Sequence, residues 1–276
     1  MFEKRLVLLF FLTMLFSALL TGELRRGAQL TRLSEDTSGS SAFRAQEFSA
    51  DTVRELRHMP PEERGRAAAL YFLSQPERGD ASSFFTEEHL RREEQRWRTR
   101  PAWKDYLNDC NAVWNDIRFF PVPVSTKHKR YTTAYADTWM GERSFGGKRG
   151  HEGTDLMAAV DSPGLYPVIS MTDGTVENLG WLPQGGWRLG IRAPSGAYFY
   201  YAHLDSYAQL AVGDRINAGD IIGFMGNTGY GPEGTKGRFA THLHLGIYIY
   251  PGGIETSVNP YWILRMIEEK KLSCSF

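Results

Sequence analysis

Cysteine is nearly absent. The two that occur, Cys110 and Cys274, form no Cys-x-x-Cys pair, which excludes a cysteine-built zinc finger. One disulfide or two free thiols are both compatible with so small a count. An excess of charge is lacking too: Lys plus Arg is 32 and Asp plus Glu is 32. A general nucleic-acid binder carries a basic excess, so no nucleic-acid partner is expected. No Gly-x-Ser-x-Gly occurs, which removes a serine nucleophile on a strand-to-helix elbow. No internal repeat is found either. What remains is a chain of 276 residues, 42% hydrophobic, enough for one sizeable domain plus an accessory region and too apolar for a disordered protein.

Lys4 and Arg5 precede an uncharged run of Leu and Phe from Leu6 to Gly22. A basic start followed by an apolar stretch is the pattern of export segments. The small-x-small cleavage pattern is poor around Ser17 to Gly22, which favours an uncleaved anchor over a cleaved signal peptide. No cysteine follows, against a lipoprotein. Residues 1–22 are thus expected to be a signal peptide or membrane anchor, with the membrane as a partner through this segment. The rest of the chain is expected at the cell envelope, outside the cytoplasmic membrane, anchored or secreted. The Ser-rich stretch Ser34–Ala50 gives residues 23–50 the composition of a flexible linker.

Residues 51–118 read as helical. Asp51 is the expected N-cap of a helix that stops before Pro60-Pro61, and the run Ala67–Leu70 favours a second helix ending near Pro76. Thr86 with Glu87 and Glu88 opens a third, and Trp103–Val113 a fourth. Character changes at Phe120-Pro121-Val122-Pro123. Beyond it, short apolar runs alternate with turns: Tyr166–Met171, Gly174–Leu179, Arg188–Arg192, Tyr198–His203, Asp220–Met225 and His242–Tyr250. Long crossover helices are missing, so the sheet is expected to be antiparallel. Asn259-Pro260 opens a short last helix. The expected fold is a mainly β domain over 119–276, preceded by an α-helical N-terminal region.

The chemistry sits in the β part. Four of the seven histidines lie in it beyond Gly146: His151, His203, His242 and His244. Within His242–Ile249, period two places Leu243, Leu245, Ile247 and Ile249 on one face and His242, His244 and Tyr248 on the other. Surface histidines or a hydrogen-bonded pair would give the same His-x-His. His151 and Asp155 are four residues apart, sharing a helix face or a loop entering a strand; Gly153 favours the loop. Together the two motifs supply His151, Asp155 and His244, a donor set suited to zinc, with a fourth position left open as in catalytic rather than structural sites. Glu152 reads as solvent-facing. His58, His89 and His128 read as ordinary surface residues. Trp181, Trp187 and Tyr201 could line the cleft or pack in the core, and the glycine-rich loop Asn227–Gly237 could border it or simply connect.

His-x-Gly-x-Asp, then Tyr-x-His-Leu, then His-Leu-His-Leu, in this order, resembles the lysostaphin/LytM-type zinc endopeptidase family over about Gly146 to Pro260. The resemblance implies an antiparallel sheet forming a groove with zinc on its floor, held by His151, Asp155 and His244. It implies catalytic roles for His203 and His242. It also implies bacterial peptidoglycan as partner and substrate, cleaved in its peptide stems or cross-links. Some relatives of this kind have lost ligands, so a non-catalytic envelope scaffold or activator is the second reading, and a zinc hydrolase acting on another amide the third. The resemblance does not reach residues before about Phe120.

Overall fold

A computed structural model describes residues 10–21, 31–75 and 81–276. Among these, the helices are α1 (residues 10–21), α2 (Ser41–Ala45), α3 (Ala50–His58), α4 (Pro61–Ser74), α5 (Ala81–Phe84), α6 (Glu87–Trp97), α7 (Trp103–Trp114) and α8 (Tyr261–Ile267). The strands are β1 (Val124–Ser125), β2 (Thr133–Ala134), β3 (Glu142–Arg143), β4 (Arg149–Gly150), β5 (Thr154–Ala158), β6 (Pro167–Ile169), β7 (Gly174–Leu182), β8 (Gly186–Arg192), β9 (Tyr198–Tyr207), β10 (Arg215–Ile216), β11 (Ile221–Met225), β12 (His242–Ile249), β13 (Thr256–Val258) and β14 (Ser273–Cys274). The export segment expected over 1–22 lies partly outside the described residues. Among those described, no helix is long and apolar enough to cross a membrane.

The sheet that carries the site runs β10-β7-β8-β9-β12-β5-β2, with β11 joined to β6 and β9, and β13 to β12; its pairings are antiparallel. The antiparallel β domain and the preceding helices agree with the sequence reading. Strand β12 shows why the register is firm. Leu243, Leu245, Ile247 and Ile249 are buried in the core, and a one-residue slip would turn all four outward. The opposite face of the same strand must therefore carry His242, His244 and Tyr248.

Helix starts follow local chemistry, with one correction. Ser49 rather than Asp51 caps α3, its side chain accepting from the Thr52 backbone N–H, while Asp51 sits in the first turn. Thr86 caps α6 as expected, accepting from His89. Cys110 is buried, and both cysteines are free thiols.

The larger correction concerns the expected linker. Its first residues, up to 30, lie outside the described part, but residues 31–50 are packed. Phe43 and Phe48 are both 3% exposed. Phe48 meets the rings of Phe72 at 4.6 Å, Trp114 at 5.1 Å and Tyr71 at 5.3 Å. Between them, buried Gln46 takes a hydrogen bond from Trp114 Nε1 at 2.8 Å and donates to the Phe43 carbonyl. The serines that suggested flexibility include two caps, Ser40 and Ser49. Apolar anchors every few residues outweigh a polar average. Phe48→Ala is expected to cost about 3–5 kcal/mol, read as a lower denaturant midpoint. An unchanged midpoint is what a true linker would give.

The helical region is fastened to the β domain. Arg44 donates to the Ser257 carbonyl at 3.0 Å, the Ser257 hydroxyl at 2.7 Å and Glu152 at 2.7 Å. Arg57 donates to the Met266 and Arg265 carbonyls of α8. Asp116, just after α7, accepts from the Ser195 backbone and hydroxyl in the turn between β8 and β9.

Candidate metal centre and groove

Register builds the centre. In the pairing of β12 with β5, His244 stands directly opposite Asp155, so their side chains leave the sheet on the same face as cross-strand neighbours. His151 arrives from the turn before β5. Gly153, between them in sequence, is required sterically: a Cβ there would lie 2.5 Å from the His244 ring and 2.6 Å from the Leu245 carbonyl. Three polar atoms converge. Asp155 Oδ1 is 2.9 Å from His244 Nδ1 and 3.1 Å from His151 Nε2, and the two ring nitrogens are 3.1 Å apart.

This triangle fits a metal ion. Zinc bonded tetrahedrally at about 2.0–2.1 Å would set ligand atoms about 3.3 Å apart. Two imidazole nitrogens facing one another and one carboxylate oxygen also lack enough protons to satisfy every contact without a cation. Among the described residues, His151, Asp155 and His244 are the group of His, Cys, Asp and Glu able to hold an ion. His151 is oriented by Thr138, whose hydroxyl lies 2.9 Å and carbonyl 3.3 Å from Nδ1. With Nδ1–H donated there, the lone pair rests on Nε2, the nitrogen in the triangle. Burial alone would raise the Asp155 pKa, but hydrogen bonds to His151 and His244 outweigh it and hold the carboxyl well below the usual carboxylate range. Burial lowers the His244 pKa, opposed by Asp155. A carboxylate beside neutral imidazole is the form in which both bind a metal.

Two further histidines stand beside the triangle. The His203 ring is 4.7 Å from that of His242 and 6.0 Å from that of His244, and His242 Nε2 is 3.9 Å from Asp155 Oδ1. Each is anchored through Nδ1 to a backbone carbonyl, His203 to Thr228 at 2.7 Å and His242 to Ala240 at 2.8 Å. Both tautomers therefore leave Nε2 as the lone-pair nitrogen. Burial first, then the neighbouring His242 and His244, push the His203 pKa well below its ordinary value. His203 also has φ +62, a left-handed backbone that costs free energy in a residue with a Cβ.

All five residues singled out in the sequence thus meet in one groove of about 670 Å³. His58, His89 and His128 do not reach it. Of the two readings open for Trp181, Trp187 and Tyr201, packing is the one observed. Tyr201 is fully buried, its hydroxyl accepting from the Met171 backbone, and Trp181 and Trp187 pack edge to face on each other. Tyr198, Tyr200, Tyr230, Tyr248 and Tyr250 line the groove instead. Strand alternation from His244 through its β9 partner Ala202 would have picked out Tyr200 and Tyr198. Tyr230 brings the Asn227–Gly237 loop to the groove and stacks on Phe145 at 4.4 Å. Glu152 is exposed, as its solvent-facing reading expects, and at the groove's edge it pairs with Arg44. Arg143 was missed: its guanidinium donates to Asp155 Oδ2 at 2.8 Å. A charged residue on the two-residue strand β3 carries no sequence signal for such a role.

Comparison with known proteins agrees with this geometry. The sequence model of peptidase family M23 matches residues 149–260, and that of the LytM N-terminal domain matches residues 28–116. A solved chain from Ruminococcus gnavus ATCC 29149, described as a candidate glycyl-glycine endopeptidase LytM, is 45% identical. The alignment covers 90% of this chain and 98% of that one, with a TM-score of 0.82. The chain belongs to peptidase family M23. The helical region, for which the histidine motifs gave no guide, is the part that matches the LytM N-terminal domain. An L-Ala–D-Glu endopeptidase of Bacillus subtilis (strain 168) is 45% identical over 150 residues, covering 54% of this chain and 43% of that protein. Lysostaphin of Staphylococcus simulans is 30% identical over 117 residues, 42% of this chain and 21% of that protein. The chain spans less than half the length of these two curated relatives.

Proposed function

We propose that this chain is a zinc-dependent endopeptidase that hydrolyses peptide bonds in the stems or cross-links of bacterial peptidoglycan. His151, Asp155 and His244 hold the zinc, and His203 and His242 are the catalytic histidines. The observation that carries the reading is the meeting of these five side chains on the floor of one groove. The relatives named for cleavage of L-Ala–D-Glu and glycyl-glycine bonds support the substrate class. That substrate would place the chain's action outside the cytoplasmic membrane, with residues 1–22 as its export segment or anchor.

Zinc held by this triangle would supply Lewis-acid polarisation of the scissile carbonyl and would lower the pKa of water toward about 7. The chain's own groups do the rest. Neutral His203 offers Nε2 as the acceptor for the proton of the attacking water, and its suppressed basicity keeps that nitrogen open at neutral pH. His242 Nε2, once protonated, can donate to the developing oxyanion or to the departing amide nitrogen. The carbon–oxygen bond forms as His203 takes the water's proton; the carbon–nitrogen bond then breaks, and that proton ends on the new amine, either directly or by replacing one that His242 has given. Arg143 holds the second oxygen of Asp155, leaving the first for the metal.

The test is digestion of purified peptidoglycan by the zinc-loaded protein, with products identified by mass spectrometry. New free amines and carboxylates at peptide bonds are expected. Intact wall, as a scaffold would leave it, or cleavage confined to a non-peptide amide contradicts the reading.

A further inference from the structure

Two guanidinium groups of the groove each keep a buried donor without a partner among the described residues. Arg143, Arg149 and Arg188 all line the groove. Arg143 is committed to Asp155, and the nearby Arg192 is committed to Glu177 through two hydrogen bonds of 2.6 and 2.7 Å. Arg149 and Arg188 differ. Each keeps one η nitrogen shut away from solvent with no hydrogen-bond partner among the described residues. The contact seen for Arg149 is a single bond of 3.2 Å from Nε to Gln184 Oε1. Buried donors without acceptors cost free energy, more so on a charged group, and where native proteins keep them they point to a functional role.

Both lie next to the metal-centre floor. Arg188, on β8, is two residues from Gly190, which pairs with Tyr200 of β9. The Tyr200 ring is 6.0 Å from that of His244. Arg149, on β4, is two residues from His151, and Tyr200 lines the same groove as both arginines. The carboxylates of the groove are engaged elsewhere: Glu152 on Arg44, Glu177 on Arg192 and Glu255 on the Tyr250 hydroxyl. The Tyr200 side of the groove is therefore positive and short of acceptors.

We infer that Arg149 and Arg188 form a carboxylate-binding subsite, so that the preferred substrate is an acidic peptide with a free carboxylate beside the scissile bond. This rests on the endopeptidase reading and narrows it: an acidic stem peptide uses both guanidiniums, whereas an uncharged glycine bridge uses neither. The planar fork of Arg matches the two oxygens of a carboxylate, and a point charge does so less well.

The test compares two synthetic peptides containing L-Ala–D-Glu, one with the free glutamate carboxylate and one with that carboxylate converted to the carboxamide. The wild-type zinc-loaded protein is expected to favour the carboxylate by about tenfold to a hundredfold in kcat/KM, mostly through KM. In Arg188→Gln and in Arg149→Gln that ratio falls toward one, and Arg188→Lys retains part of it. The same peptides are titrated calorimetrically, a readout that needs no turnover and that reports whether each variant still folds and binds. Equal handling of both peptides by the wild type, or an equal loss on both in the variants, overturns the subsite. Carboxylate-selective binding without hydrolysis of either peptide would uphold the subsite and leave the endopeptidase reading to the peptidoglycan digestion.

Discussion

Removing His244 should strip the protein of its metal and its activity together. His244→Ala leaves two of three donors, and a catalytic site built on three protein ligands has none to spare. Zinc per chain is expected to fall from about one to near zero in His244→Ala and in His151→Ala. Turnover is expected to fall by more than the roughly 10–100-fold seen when only a supporting contact to a ligand is lost. The loss should not come from unfolding. Asp155 remains held by Arg143, and the core face of β12 is untouched because Leu243, Leu245 and Ile247 point the other way. Metal analysis beside circular dichroism checks both statements. Full zinc retention in both variants would remove these residues as ligands.

His203 and His242 should behave oppositely. Neither belongs to the triangle of donor atoms, so His203→Ala and His242→Ala are expected to keep about one zinc. Each supplies an Nε2 whose Nδ1 is tied to a backbone carbonyl. Losing a positioned acid–base group costs about 10²–10⁴-fold in rate. Both variants are therefore expected to lose at least about a hundredfold in kcat with metal content unchanged. His203→Ala also relieves nothing at φ +62, since Ala carries the same Cβ, so its stability should not rise in compensation. Near-normal turnover by either variant would show that histidine to be a bystander.

Much of this site was legible because it is built on a strand. Period two separates the core face of His242–Ile249 from its histidine face without any tertiary information, and the structure keeps that separation. The His-x-Gly-x-Asp turn was legible in type, and the steric need for Gly153 emerges only when β12 is laid against it. Arg143, Arg149 and Arg188 were not legible. Their roles depend on which carboxylates they fail to meet or do meet across the groove, and pairing over such distances leaves no local pattern. The packed segment 31–50 was misread for a related reason: composition averages over a window, whereas Phe43 and Phe48 act singly. Tyr201 was left open between cleft and core, and alternation along β9 settles it, with Tyr200 facing the groove and Tyr201 the core.

The central claim is that the His151, Asp155 and His244 triangle makes peptide-bond hydrolysis depend on one zinc ion. The direct measurement is release of soluble peptides from purified peptidoglycan by protein stripped with a chelator and then titrated with zinc. The account predicts no release by the stripped protein and recovery that levels off at about one zinc per chain. Equal release before and after stripping, or no release at any zinc content, would contradict it.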